Sequence, residues 1–64
     1  MTSRLESRLK CAYDDVTKAK KMIEKKLEKE TDPRKKLFLK DYKIELFDLQ
    51  LRLKDMLRNL EHIE

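Results

Sequence analysis

The sequence predicts an all-α fold: an antiparallel two-helix coiled-coil hairpin that assembles into a homodimeric four-helix bundle. Three observations predict it. The chain has 64 residues, 47% charged and 39% hydrophobic, with no Gly and one Pro. That composition suits long helices, since sheets need turn glycines and runs of β-branched residues. Apolar residues recur in each half at alternating steps of four and three, and between the halves stands Thr31-Asp32-Pro33.

The whole chain, 1–64, reads as a single hairpin, with its first helix expected over about residues 3–30. The apolar stripe there is Leu5, Leu9, Ala12, Val16, Ala19 and Ile23, a heptad a/d seam. The second helix is expected over about 33–63, with Leu39, Tyr42, Leu46, Leu49, Leu53, Met56, Leu60 and Ile63 as its seam. A period of about 3.5 implies a gentle left-handed supercoil. The two stripes are out of phase, because Ile23 and Leu39, both at a, lie 16 residues apart, two heptads plus two.

One continuous helix would put the stripes on different sides, so the chain must break, and the turn falls at 31–33. Pro33 fits the first position of a helix and pushes Asp32 out of helical geometry. The Asp32 carboxylate is placed to accept the first free N–H groups of the second helix. Folding back about the Asp32–Pro33 bond pairs residues whose numbers add to 65: Ile23 with Tyr42, Ala19 with Leu46, Val16 with Leu49, Ala12 with Leu53, Leu9 with Met56 and Leu5 with Leu60. Ala12 and Ala19 each meet a Leu, which lets the helix axes approach. Lys26 falls opposite Leu39, so Leu27 is expected to turn in while Lys26 snorkels to water.

Two helices cover only one face of each other, and ordering a chain of this length costs on the order of 100 kcal/mol. One Cys excludes an internal disulfide, and one His beside one Cys makes no metal or cofactor site. Self-association is then the expected source of stability. No apolar run approaches the roughly 18 residues of a membrane span, and the N-terminus lacks a signal-peptide stretch. The expectation is a soluble, cytoplasmic protein that does not bind membranes.

The second helix carries apolar residues beyond its seam. Leu37, Ile44 and Leu51 repeat every seven residues at f, Phe47 lies between them at b, and Leu57 at e links the stripes. Left bare, they form a patch of a few hundred Å², the size that marks an oligomer or partner interface. The stability argument favours self-assembly as its use. Asp41, Asp48 and Asp55 form the column that must face water, spaced ~10 Å apart, too wide for metal sharing or paired acid–base chemistry.

Charge is uneven. Residues 18–43 hold eleven Lys/Arg against five acids, and the remainder six against eight. A stripe of Lys18, Lys21, Lys25 and Lys29, together with Arg34, Lys35 and Lys36 at the tip, is the candidate anion or nucleic-acid site; an acidic protein is the other partner it fits. The three tip cations sit where the helix dipole repels them, and a bound anion would relieve that. The competing reading is a solvated face held by Asp14–Lys18, Lys20–Glu24 and Lys26–Glu30 pairs, with Glu28 and Glu30 meeting Arg34 to Lys36 across the turn.

Cys11 reads as a free surface thiol, and His62 as a cation suited to the end of the second helix. They stand far apart along the hairpin, so no nucleophile–base pair forms, and no enzyme is expected. In length, turn and small-against-large seam, the chain resembles the plasmid-borne RNA-binding hairpins of the repressor-of-primer kind. That resemblance of architecture implies pairing as an antiparallel four-helix bundle. No run of residues matches, so no RNA-contact position carries over. The expected function is that of a non-catalytic interaction protein, a small regulator or scaffold, with nucleic-acid binding at the basic turn as the alternative.

Overall fold

Helix boundaries follow from local chemistry at each end. In the computed structural model, which describes residues 3–63, α1 spans Arg4–Lys29 and α2 spans Pro33–Ile63. Ser3 caps α1: its hydroxyl accepts the Glu6 N–H at 3.0 Å, and its carbonyl accepts the Ser7 N–H at 3.1 Å. This satisfies donors that a helix start leaves free.

The reversal needs no glycine, and no described residue has positive φ. Glu30 leaves the helix in an extended conformation (φ −79°, ψ 132°), and its carboxylate accepts the N–H groups of both Thr31 (3.2 Å) and Asp32 (3.1 Å). Asp32 then starts α2. Its Oδ1 accepts the Arg34 N–H at 2.9 Å and its carbonyl the Lys36 N–H at 3.0 Å, with Pro33 at the first helical position.

The two helices pack against each other along their length as an antiparallel hairpin, 48 × 15 × 11 Å in extent. Its Cα radius of gyration is 14.9 Å, against ~11 Å for a compact domain of this size. It is a rod with little interior. Leu53 and Leu60 are its buried apolar residues, and no described residue of α1 is fully buried.

The seam differs from the expected one on α2. Leu39, Leu46, Leu53 and Leu60 face inward, but the residues alternating with them are Lys43, Gln50 and Leu57 at e. Tyr42, Leu49, Met56 and Ile63 at d stand exposed, as does Leu5 on α1. On α1 the e positions carry Tyr13, Lys20 and Leu27, all half-buried. Ala12 and Ala19 at d are half-buried as well, so it is α2 that has rolled, toward the side where Gln50 bonds Thr17 and Lys20 and where Lys43 meets Glu24. Leu57, expected to be free for a partner, is half-buried as a result.

Register is fixed to within a turn. On the e side, Thr17 meets Gln50, Glu24 meets Lys43, Lys20 meets Phe47 and Tyr13 meets Lys54, pairs whose numbers add to 67. On the d side, Leu5 and Leu9 line one groove with Met56, Leu60 and Ile63, and Lys26 lines another with Leu39 and Tyr42, neighbourhoods that include the pairs expected to add to 65. A difference of two residues is ~3 Å along the axis, a distance that long side chains span. Leu27 is half-buried and Lys26 exposed.

Candidate interaction surfaces

The hairpin is locked at mid-length by a polar group. Gln50 is only 8% exposed. Its Nε2 donates to Thr17 Oγ1 at 2.8 Å, Thr17 in turn donates to the Tyr13 carbonyl at 2.9 Å, and Lys20 Nζ donates to Gln50 Oε1 at 3.4 Å. The Lys20 ammonium also lies 4.8 Å from the centre of the Phe47 ring, a cation–π geometry. A satisfied polar group inside an apolar seam specifies register, because slipping by a turn would orphan it.

Two broad faces flank this seam. At about 100° per residue, Leu49 and Met56 fall on one side of the Leu46–Leu53–Leu60 line and Phe47 on the other. The first face carries the d residues Leu5, Tyr42, Leu49, Met56 and Ile63, continued at the turn end by Phe38. Leu49 is 42% exposed and Ile63 79%. Phe38, Leu39 and Tyr42 share a groove there with Lys26, Glu30 and Lys35. Leu5, Leu9, Leu60 and Ile63 share another with Met56 and Asn59. The rim mixes both signs of charge.

The second face carries the stripe. Leu37, Ile44, Phe47 and Leu51 are each at least half exposed. Ile44 and Phe47 form the floor of a groove with Leu27, and Lys20, Lys40 and Lys43 form its walls. Leu57 does not join them.

The basic turn adjoins the first face, whose groove Lys35 lines. Lys18, Lys21, Lys25, Lys29, Arg34, Lys35 and Lys36 are all exposed. Among the described residues the ion pairs are Lys10–Glu6 (3.2 Å), Arg52–Asp48 (3.1 Å) and Lys43–Glu24 (3.8 Å). The pairs expected for a self-neutralised tip do not form: Glu30 is occupied by the turn's N–H groups, and Glu24 reaches across to Lys43 in place of Lys20. The side chains of Arg34, Lys35 and Lys36 thus form no ion pair among the described residues, although the Asp32 carboxylate caps the helix they begin, 2.9 Å from the Arg34 N–H.

Sequence reasoning overlooked Phe38 and the roles of Gln50, Lys20 and Lys43. Phe38 was findable, since it extends the Tyr42–Leu49–Met56 column by one turn. The inward turn of Lys43 and Gln50 had no signal, because apolar periodicity does not register an amide or a lysine stem on the seam. Cys11 is an exposed free thiol, and His62 is exposed in the last turn of α2. No group of three or more metal-ligating side chains forms among the described residues, and no described helix is long and apolar enough to cross a membrane. Compared with known proteins, the chain matches no family model, no curated protein and no solved structure.

Proposed function

We propose that this chain is a non-catalytic helical assembly protein, a small regulator or scaffold that homodimerises into a four-helix bundle. The d face (Leu5, Tyr42, Leu49, Met56) is the surface through which two hairpins join. The Leu37/Ile44/Phe47/Leu51 stripe remains for a partner. The observation that carries this reading is the heptad half left bare: the d residues Tyr42, Leu49, Met56 and Ile63 of α2 all stand exposed beside the seam. A second hairpin presenting the same residues completes the heptads of both.

Magnitude supports it. The chain exposes 5750 Å², whereas a compact protein of 7.8 kDa exposes about 4,400 Å². The excess, on the order of 1,000 Å², exceeds the ~800 Å² that each partner buries in an interface of standard size.

Sedimentation equilibrium read at 260 and 280 nm tests it. The expected mass is twice 7.8 kDa at micromolar concentration, with no excess absorbance at 260 nm. The chain has no Trp and only two Tyr, so bound nucleic acid would show at once. A monomer at these concentrations would overturn the reading.

Nucleic-acid binding at the turn is the second reading, favoured by the exposed side chains of Arg34, Lys35 and Lys36, which lie together beside the Asp32-capped start of α2 with no ion pair among the described residues. It predicts that duplex or structured RNA binds with an affinity falling steeply with salt, with a slope of ~0.9 per phosphate contacted. Changing these three cations to Gln should lower that slope by roughly 2–3. Salt-independent binding, or a slope unaltered by the substitutions, would remove this reading.

A further inference from the structure

We infer that the groove floored by Leu27, Ile44 and Phe47 docks an acidic amphipathic helix of a partner protein. The inference rests on the proposed dimer using the opposite face, which leaves this groove open.

Its floor is apolar and its walls are cationic. The groove holds about 410 Å³ between the two helices, with Lys20, Lys40 and Lys43 around it. Among the described residues, the carboxylate within 4 Å of these ammonium groups is that of Glu24, 3.8 Å from Lys43. Lys20 is held in place by Phe47 and Gln50, so its charge is presented rather than waving in solvent. Lys54, 6.0 Å from the Tyr13 ring, extends the positive edge toward the open end.

Shape selects the occupant's form. From Leu37 to Leu51 the stripe runs ~21 Å at 1.5 Å rise per residue, about four turns of a partner helix. Such a helix lays Leu or Ile at i, i+3, i+4 and i+7 onto the floor. Glu or Asp on its flanks meets the lysines, whose charge then adds orientation and rate of encounter.

Charge selects its identity. A second copy would bring its own lysine walls against these, a like-charge contact that disfavours self-pairing through this face. Nucleic acid would satisfy the lysines but leave the apolar floor uncovered.

The test uses the full chain and three dye-labelled synthetic peptides of about 15 residues. One has Leu at amphipathic spacing with Glu on both flanks. The second is its shuffled sequence, and the third replaces Glu with Lys. Fluorescence anisotropy should show saturable binding of the first, at one peptide per chain, with the others at least about tenfold weaker. Phe47→Glu should weaken binding by about tenfold or more, while helix content and dimer mass stay those of the parent.

Equal binding of the shuffled peptide overturns the inference, as does full affinity in Phe47→Glu. So does binding confined to phosphatidylglycerol vesicles or to duplex RNA. If Phe47→Glu splits the dimer, the stripe is the dimer interface and the inference fails. If the parent is a monomer yet binds the acidic peptide through Phe47, the assembly reading fails and this one stands.

Discussion

Gln50 shows how one side chain governs the relation between two helices. Its amide spans the seam, donating to Thr17 and accepting from Lys20. Gln50→Ala should destabilise the hairpin by ~1–2 kcal/mol, since it removes a satisfied hydrogen bond and opens a cavity. Gln50→Leu should differ in kind. It keeps volume and desolvates easily, so the urea midpoint should hold or rise, while sedimentation velocity should broaden as slipped or larger assemblies appear. A single, unchanged boundary for Gln50→Leu would mean that register is set elsewhere. This role was not legible in the sequence. Heptad reading weighs apolar positions, and at e an amide is indistinguishable from the solvated residues around it until its acceptor and donor across the seam are placed.

At the scale of the elements, the turn and the roll of α2 had opposite legibility. Asp32 and Pro33 act on their own neighbours, so the helix start they specify could be read directly, and the Asp32–Arg34 bond at 2.9 Å is the result. Asp32→Ala should cost ~1 kcal/mol, visible as a lower thermal midpoint. No change would mean that the exposed cap is replaced fully by water. Pairing of Glu30 with Arg34 to Lys36 is one of the two readings that charge alone allows, whereas its use as an acceptor for two turn N–H groups depends on backbone geometry. The roll of α2 was hidden for a different reason. The a positions belong equally to an a/d and an a/e stripe. The choice shows on α2, where Lys43, Gln50 and Leu57 turn inward and the d positions stand exposed, while on α1 Ala12 and Ala19 are half-buried along with Tyr13, Lys20 and Leu27. Composition and periodicity thus carried the two-helix fold, but not which apolar residues it would leave bare.

For the whole molecule, bare apolar surface is the dominant physical fact. A rod with two buried leucines and a buried glutamine has little interior with which to offset its chain entropy. The candidate surfaces follow from that rod: an apolar face, a lysine-walled groove behind it and an exposed basic turn. The f stripe and tip cations could be named from sequence, since spacing and charge suffice. Which apolar residues stand exposed beside the seam depended on the roll of α2, which only packing reveals; the use of one face for self and the other for a partner is the proposal built on it. The most direct test is sedimentation equilibrium of the parent chain beside Leu49→Asp and Phe47→Asp, at micromolar concentration. The account predicts a dimer, twice 7.8 kDa, for the parent and Phe47→Asp, and a monomer for Leu49→Asp. A monomeric parent, or a Leu49→Asp variant that remains fully dimeric, would contradict it.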